Sequence, residues 1–263
     1  MSLYQTIAEL LQFILPKFYK ERYFKKNEKL TTKNFSELGL EPEILWVKNY
    51  LSQDSVMMDV GANTGSFIYQ LETKLSPQNI FAFEPNKKLF RRLKRIFSNV
   101  NIFPIALSDS NGEAKFKVPI IKGKRRTSRG TLNTDFKEVD EEGVYTEKVQ
   151  VQRLDEWMQT QNFSRIDFIK IDVEGNEMKT LRGATETIQK FMPTLMVEME
   201  QRHHMENIWK FILEIESWGF TGNYLNRQYF KLEKISEKIL SENSLDEKNK
   251  MNYINNIIFI PKN

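Results

Sequence analysis

The chain has 263 residues, of which 40% are hydrophobic and 28% are charged, a composition typical of a globular protein with one large domain. It contains no cysteine, which excludes thiol catalysis, disulfide bonds and cysteine-ligated zinc. The formal net charge of +4 is too small to indicate a nucleic-acid-binding protein, but it is compatible with an anionic substrate or cofactor.

The first 24 residues predict an amphipathic helix that Pro16 kinks or breaks. One stripe of this helix carries Leu3, Ile7, Leu10, Leu11, Ile14, Leu15 and Phe18. A basic run follows, with Lys17, Lys20, Arg22, Lys25, Lys26 and Lys29. Such a helix caps its own domain, forms a homodimer interface, or makes peripheral membrane contact through residues 1–29. We divide the chain into an N-terminal helical segment, 1–45, and a larger domain, 46–263.

The N-terminus does not have the pattern of a signal peptide. No basic residue precedes its apolar stretch, and Glu9 lies within that stretch. No apolar run in the chain approaches the roughly 18 residues of a membrane span. We therefore expect a cytoplasmic protein, with membrane association through the N-terminal helix as the alternative.

From residue 55 the pattern alternates between apolar strands and amphipathic helices. The first predicted elements are the strand "SVMMDV", the helix "SFIYQLETKL", the strand "NIFAFEP", the helix "KKLFRRLKRIF" and the strand "VNIFPIALS". The alternation then breaks, because "EAKFKVPI" and "YTEKVQVQRL" have the period of two expected of a β-hairpin. Between these two arms lies the basic loop "KGKRRTSRGTLNTDF".

The strand–helix alternation resumes in the second half of the chain. It continues with the strand "IDFIKIDV", the helix "EMKTLRGATETIQKF", the strand "PTLMVEME" and the helix "MENIWKFILEIESWGF". The strands "QYFKLEKI" and "NYINNIIFI" follow, separated by a charged stretch that predicts a solvated helix or a mobile insertion. Alternation over about 200 residues predicts an α/β fold with a doubly wound, mostly parallel sheet.

The turn after the first of these strands, "DVGANTG", has the character of a ligand-binding turn. Ligands bind such sheets at the carboxyl ends of the strands. Gly61 and Gly65 let the backbone turn tightly and approach a ligand closely, and the helix beginning near Ser66 offers free N–H groups. Asp59 at the strand tip is placed to receive an ammonium group. Glu84, at the tip of the second strand, is placed to accept ribose hydroxyls.

These features suit a ligand with an amino acid end and a nucleoside end, such as S-adenosylmethionine. A dinucleotide fits less well, because the three-glycine fingerprint is absent and the turn has the sequence G-A-N-T-G. A turn of this kind without any ligand is the structural alternative.

Several stretches resemble the successive motifs of the FkbM-type S-adenosylmethionine-dependent methyltransferases. They are "MDVGANTGSF", "FAFEPN", "IALSDSNGEAKF", "RLDEW" and "IDFIKIDVEGNEMKTLRGA", over about residues 55–200, with a weaker likeness in "NNIIFIP". The resemblance implies a class I methyltransferase (Rossmann-like) fold, here with an N-terminal helical extension. It also implies O-methylation, often of a sugar or natural-product hydroxyl.

By position, the resemblance implies roles for eight residues in holding the cofactor. The methionine end would be held by Asp59, Gly61, Ala62, Asn63 and Gly65, and the ribose by Glu84. Ser108 and Asp109 would border the adenine, although a simple turn before the hairpin explains Asp109 equally well.

The stretch "KIDVEGNE" is the candidate catalytic edge. Lys170, Asp172 and Glu174 share one side by period two if the strand stays extended. The Asp/Asn-Pro-Pro-aromatic motif of DNA amine methyltransferases is absent, and charged groups suit a hydroxyl acceptor that benefits from a base. A buried Lys–Asp ion pair followed by a helix N-cap is the competing structural interpretation.

The two histidines of the chain, His203 and His204, follow the strand "PTLMVEME" at the same predicted edge. Either histidine is a candidate general base, although an adjacent pair is as often a surface feature. Glu198 and Glu200, with Asp172, could form an oxygen-rich Mg²⁺ or Ca²⁺ site. Because their spacing is not diagnostic, we predict no metal.

The basic loop is the candidate substrate-binding element. We expect Arg125, Arg126 and Arg129 to recognise phosphate, sulfate or carboxylate on the acceptor, while a solvated loop explains them as well. The leading hypothesis is a small-molecule or glycan O-methyltransferase. The alternatives are an RNA-directed methyltransferase using this loop and the basic helix of residues 87–95, a cofactor-binding module without catalysis, and a nicotinamide oxidoreductase.

Overall fold

The computed structural model describes residues 10–262. Within that range the helices are residues 10–14, α1 (Pro16–Tyr23), α2 (Lys25–Glu28), α3 (Phe35–Leu38), α4 (Glu43–Tyr50), α5 (Ser66–Leu71), α6 (Lys87–Ile96), α7 (Leu154–Gln159), α8 (Glu177–Arg182), α9 (Thr185–Phe191), α10 (Ile208–Ser217) and α11 (Glu237–Asn243). Short 3₁₀ helices cover Pro77–Asn79, Thr127–Arg129 and Gln201–His203.

The strands of this part of the chain form two sheets. They are β1 (Met57–Val60), β2 (Ile80–Phe83), β3 (Asn101–Phe103), β4 (Ile105–Leu107), β5 (Gly112–Ile121), β6 (Lys124–Arg125), β7 (Glu141–Gln152), β8 (Phe168–Ile171), β9 (Thr194–Glu198), β10 (Phe220–Asn226), β11 (Lys231–Lys234) and β12 (Asn256–Pro261). The larger sheet has the order β11-β10-β12-β9-β8-β1-β2-β3, and the smaller sheet has the order β4-β7-β5-β6.

The larger sheet is parallel in one half and antiparallel in the other. The strands β3, β2, β1, β8 and β9 pair in parallel. The remaining strands, β12, β10 and β11, pair antiparallel. The predicted α/β fold is therefore confirmed. The predicted mostly parallel sheet holds for the half that carries the glycine turn.

The third predicted strand, "VNIFPIALS", is wrong as a single element, because the chain changes sheets at Pro104. Its first part, β3, joins the edge of the larger sheet, and its second part, β4, pairs with β7 of the smaller sheet. Proline has no N–H to donate, so a strand ladder ends there readily. The predicted hairpin forms the smaller sheet, where β5 pairs antiparallel with β7.

The N-terminal segment packs against the same apolar cluster as the larger sheet. Phe24, Phe35 and Ile44 are buried in the cluster that contains Met57 of β1 and Ile80 of β2. These contacts bring residues 27–44 close to the carboxyl ends of the strands, where the candidate site lies. The division at residue 45 stays a prediction about organisation, since burial alone does not define a folding unit.

Two further predictions about the termini can be compared with the structure. The break at Pro16 is confirmed, because Leu15 leaves the helical conformation (φ −134°) and Pro16 opens α1. Leu3 and Ile7 of the predicted stripe lie outside the described residues. The charged stretch before the last strand forms α11, with Ser236 as its N-cap. No helix in residues 10–262 has the length and apolar character needed to cross a membrane.

Candidate active site

A cleft lies between the carboxyl ends of the parallel strands and the smaller sheet. Its empty volume, including the part that opens to solvent, is about 530 Å³. The turns after β1, β2 and β8 form its floor. Phe116 of β5 and residues 127–132 form its cover. The predicted ligand site at this edge of the sheet is therefore a cleft that opens to solvent, with one wall supplied by the smaller sheet.

The cover is bonded to the floor of the cleft through Thr131. The Thr131 hydroxyl donates a hydrogen bond of 2.6 Å to the backbone carbonyl of Glu174 in the loop after β8. The backbone of Thr131 exchanges two hydrogen bonds of 2.9 Å with Lys117 of β5. Thr131 thus links the smaller sheet to the catalytic edge of the larger one.

The glycine turn after β1 needs both of its glycines. Gly61 has φ +84°, and a Cβ there would lie 1.8 Å from the carbonyl oxygen of Asp172. Gly65 has φ +88°, and a Cβ there would lie 2.6 Å from the ring of Phe97. Any other residue would therefore meet both backbone strain and overlap at these two positions. Asn63, between them, also has positive φ.

Glu84 holds the glycine turn in place and also lines the cleft. One carboxylate oxygen accepts the N–H of Asn63 at 2.7 Å, and the other accepts the N–H of Asn86 at 2.7 Å. Burial raises the pKa of Glu84 to about 7, although these two hydrogen bonds act in the opposite direction. Each oxygen keeps a second lone pair, so ribose hydroxyls still have acceptors here. The sequence predicted only this second role.

A second cavity, of about 640 Å³, adjoins the glycine turn and is strongly ionic. The Lys170 ammonium lies 2.9 Å from Asp172 Oδ2 and 3.8 Å from Asp59 Oδ1. Burial opposes its charge, but Asp172 and Asp59 outweigh burial and hold the pKa of Lys170 above its ordinary value. Asp59 is buried, and its Oδ1 has no hydrogen-bond partner. We refer to this cavity as the methionine-end pocket.

Glu41, from the N-terminal segment, is a pocket residue that the sequence analysis missed. Its half-buried side chain lines the methionine-end pocket with Asp59, Asp172 and Lys170. Burial and the nearby Glu43 and Asp172 carboxylates raise the pKa of Glu41 to about 7. Three carboxyl groups around one ammonium group favour a cationic ligand. Nothing in "GLEPEIL" identifies Glu41, because only the tertiary packing brings it to the strand tips.

The predicted period of two does not extend to Glu174. Strand β8 ends at Ile171, and Glu174 has a left-handed backbone (φ 51°). Lys170 therefore lines only the methionine-end pocket, and Glu174 lines only the cleft. Asp172 lines both. The competing interpretation, a buried Lys–Asp ion pair, describes Lys170 and Asp172 correctly. This pairing holds the pKa of Asp172 below its ordinary value although burial opposes it.

Glu174 and His203 form a buried pair at one side of the cleft. We call this the acceptor side, after the catalytic role predicted for these residues. His203 Nε2 lies 3.4 Å from Glu174 Oε2, and neither atom has a hydrogen-bond partner. Burial, assisted by Asp172, raises the pKa of Glu174 well above its ordinary value. Burial and the neighbouring Arg202 lower the pKa of His203, so this histidine is neutral near pH 7. Glu174 lines the cleft, and His203 lies behind it.

His204 occupies a different environment from His203. Its Nε2 lies 3.2 Å from Glu177 Oε2, and its ring packs edge-on against Phe211. Glu177 in turn accepts the N–H of Gly175 at 2.9 Å. His204 thus contacts residues that hold the loop after β8, and it does not line the cleft.

The carboxylates of the predicted oxygen-rich metal site have protein partners. Arg202 and Tyr253 both donate to Glu200, and Asn255 donates to Glu198 at 2.7 Å. Within residues 10–262, the side chains spaced to hold a metal ion are instead Glu138, Glu174 and His203. Arg129 and Arg202 lie 2.8 Å and 3.3 Å from Glu138 Oε2, and their charge opposes a further cation. Our expectation of no metal remains a prediction.

The three arginines of the basic loop point to different surroundings. Arg129 pairs with Glu138 on the acceptor side of the cleft. The guanidinium of Arg125 stacks at 3.7 Å over the Tyr145 ring, on the outer side of the cover. Arg126 is exposed. None of the three lines the cleft, and Arg129 is linked to Glu174 only through Glu138, which lies beside it.

The predicted adenine border, the end of the third predicted strand, lies only partly at the cleft. Ser108 and Asp109 do not line the cleft, whereas Ala106 and Leu107 do. The Ser108 hydroxyl is 3.3 Å from Asp109 Oδ1, as expected of a local turn. With Phe116 from the cover, Ala106 and Leu107 give this end of the cleft an apolar lining suited to a planar base.

The family model described as "Methyltransferase FkbM domain" matches residues 59–229 of the chain. The chain belongs to the FkbM methyltransferase family. The matched range contains β1, the glycine turn, Glu84, the cover and the loop after β8. Glu41 lies outside this range.

Relatives of this family member include two named methyltransferases. The chain is 28% identical over 149 residues to the 2-O-methyltransferase NoeI of Sinorhizobium fredii, covering 52% of this chain and 60% of NoeI. It is 31% identical over 141 residues to the hexuronic acid methyltransferase AglP of Haloferax volcanii, covering 52% of this chain and 53% of AglP. The chain thus matches little more than half the length of these relatives.

Among solved structures, the methyltransferase FkbM from Methylobacillus flagellatus aligns with a TM-score of 0.49 and 15% sequence identity. The alignment covers 80% of this chain and 44% of that one.

Proposed function

We propose that the protein transfers the methyl group of S-adenosylmethionine to a hydroxyl of a sugar or natural-product acceptor. The observation that carries this proposal is the continuity of the cleft with the methionine-end pocket. Glu84 lines one end, and the ionic cluster of Asp59, Lys170 and Asp172 lines the other. Between them, Gly61, Asn63 and Asp172 line both cavities, so the two spaces adjoin.

The residues present fit this cofactor at both ends. Asp59 offers a buried carboxylate oxygen without a partner, which suits an ammonium group, and Glu84 offers two acceptors to a ribose. When bound, S-adenosylmethionine supplies an electrophilic methyl group next to a positive sulfur. Asp172 stays ionised because Lys170 is bonded to it, so it provides fixed negative charge for a cationic centre.

Glu174 is the residue best placed to remove the acceptor's proton. Its carboxylate lines the cleft, and its raised pKa makes it a stronger base than an ordinary carboxylate. His203, neutral and 3.4 Å behind it, positions this carboxylate and can share its proton. In this assignment Asp172 holds charge and Glu174 moves the proton.

A sugar acceptor is supported by the relative AglP, which is named as a hexuronic acid methyltransferase. A uronic acid carries a carboxylate. Arg129 and Arg202, which both bond Glu138 beside Glu174, place two guanidinium groups near the acceptor side. The acceptor class we propose is therefore a sugar, and preferably an anionic one.

Binding and transfer assays test the proposal in sequence. Calorimetry is expected to show binding of S-adenosylmethionine and S-adenosylhomocysteine but not NAD, with Glu84→Ala weakening it by about 1.5–3 kcal/mol. Glu156→Gln, an exposed position on α7, is the control. Transfer of labelled methyl groups is then measured with uronic acids, neutral sugars and RNA. Binding without transfer would indicate a silent module, and transfer to RNA alone would replace the sugar acceptor.

A further inference from the structure

The N-terminal helical residues expose an apolar patch. The exposed fractions are 54% for Leu10, 61% for Phe13, 71% for Ile14, 52% for Leu15 and 48% for Phe18. In the helical stretch 10–14, the spacing of three and four residues places Leu10, Phe13 and Ile14 on one face. Large apolar side chains that cluster in this way on a surface mark an interaction site.

A basic groove borders this patch. It has an empty volume of about 1470 Å³ and lies between the N-terminal helices, α6 and the smaller sheet. Its lining includes the single acid Glu147 and the six cationic residues Lys87, Lys88, Arg91, Arg92, Arg95 and Arg125. The basic helix and the basic loop, which are separate in the sequence, thus contribute to one surface.

Phe13 joins the patch to the groove. It belongs to the exposed apolar set and also lines the groove. The Arg95 guanidinium stacks at 3.7 Å over its ring and donates a hydrogen bond of 2.8 Å to Gln12. Arg92 is likewise held, over the ring of Tyr23 at 4.7 Å. The walls of the groove are therefore fixed, while Lys87 and Arg91 are exposed at its surface.

An apolar patch beside a basic surface matches the two layers of an anionic membrane. Apolar side chains enter the boundary between headgroups and acyl chains, and cations contact the phosphates. A second copy of the chain fits poorly, because it would bring two sets of cations together. A nucleic acid would satisfy the groove but would leave the apolar patch in water.

We propose that the face formed by the apolar patch and the basic groove docks on membranes that contain anionic phospholipids. The proposal does not depend on the methyl acceptor. Thr127 lines both the groove and the catalytic cleft, so the docked face adjoins the cleft. Docking would therefore place the methyltransferase cleft close to the lipid surface.

Vesicle co-sedimentation with the full chain tests the proposal. We expect binding to vesicles of phosphatidylcholine mixed with phosphatidylglycerol, decreasing as salt rises, and little binding to phosphatidylcholine alone. Ile14→Asp, and separately the double change Lys87→Glu with Arg91→Glu, should weaken partitioning by at least about tenfold. The matched controls are Val139→Asp, at a side chain 78% exposed, and Lys231→Glu with Lys234→Glu on β11.

Three results would overturn the proposal. The first is absence of binding to anionic vesicles at low salt, or equal loss in the control variants. The second is a dimer in light scattering that Ile14→Asp dissociates, which would assign the patch to a second copy. The third is tight binding of single-stranded RNA that depends on Lys87 and Arg91 but not on Ile14, which would make the groove a nucleic-acid site.

Discussion

Asp172, at the methionine-end pocket, and Glu174, on the acceptor side, are buried carboxyl groups held in opposite states. In the pocket, Asp59 on β1 is the register partner of Lys170 on β8, so regular strand pairing brings a cation to the carboxylates. On the acceptor side, Glu174 and His203 come from a loop and a 3₁₀ helix, and their facing atoms are unpaired. The pKa of Asp172 is consequently lowered, whereas that of Glu174 is raised.

This difference separates a carboxylate suited to binding a cation from a carboxylate suited to removing a proton. A carboxylate paired with a buried cation stays charged and is a weak base, while an unpaired buried carboxylate has a raised pKa and is a better one. Two acidic residues that are two positions apart in the chain thus acquire different uses from their surroundings.

We expect the largest effect from Gly61→Ala, which should disrupt the methionine-end pocket and the acceptor side together. The added Cβ would lie 1.8 Å from the Asp172 carbonyl oxygen at a backbone φ of +84°, so the turn and the loop after β8 must separate. We expect a loss of about 3 kcal/mol or more in unfolding free energy and no measurable cofactor binding. Thermal unfolding with and without S-adenosylhomocysteine measures both. Gly143→Ala, with its nearest atom at 3.9 Å, is the control and should behave as the parent. Normal cofactor binding by Gly61→Ala would show that the turn can move freely.

The next effect isolates the acceptor side. We expect Glu174→Gln to lower kcat by about 10²–10⁴-fold, because the variant loses the base. Cofactor affinity should stay unchanged, because the methionine-end pocket is left intact. Single-turnover kinetics and calorimetry on the same preparation measure the two quantities. Asp172→Asn should instead destabilise the fold, since it leaves the Lys170 ammonium buried with one partner fewer. A stable Asp172→Asn enzyme with the larger loss of kcat would reverse the two roles.

The pH dependence of the same variant sharpens the assignment. Because the pKa of Glu174 is raised, the native state keeps a proton that the unfolded chain has lost above pH 4.5. Stability therefore falls, and turnover rises, as pH increases through the folded pKa of Glu174. Glu174→Gln should remove this pH dependence from both the stability and the turnover. A remaining loss of turnover below pH 6.5 would instead make His203 the base, since its pKa is lowered from that value.

The smallest effect concerns Glu41 in the methionine-end pocket. Because this carboxyl group is half-buried and one of three in the pocket, we expect Glu41→Gln to weaken S-adenosylmethionine binding by about 3–10-fold. Calorimetry measures the change, and Glu37→Gln at an exposed position of α3 is the control. Equal affinities in the two variants would restrict the cofactor site to residues of the family match.

The sequence predicts the floor of the cleft because its signals are local. An apolar strand ending in Asp59, glycines at Gly61 and Gly65, and an acid at the next strand tip identify the turn without tertiary information. The family resemblance adds the order of the motifs. These residues therefore lie where the pattern placed them, although Glu84 also anchors the turn.

The remaining features depend on long-range packing that no local pattern encodes. Glu41 and Glu138 reach the site from segments with ordinary loop sequences. Strand β10 was missed because "FTGNYLN" resembles a turn and is stabilised by pairing with β11 and β12. Period two failed at Glu174, since the left-handed backbone there is set by the loop and its bond to Thr131.

The hydrogen bond from Thr131 to the Glu174 carbonyl has a consequence for the protein when its cleft is open. Any movement that lifts the cover off the cleft must break this bond, and Glu174 then loses a contact that fixes its position. In the proposed mechanism, exchange of spent for fresh cofactor on that side and readiness for proton removal would thus exclude each other. This coupling would protect a reactive methyl donor from transfer to water or to passing nucleophiles while the cleft is open.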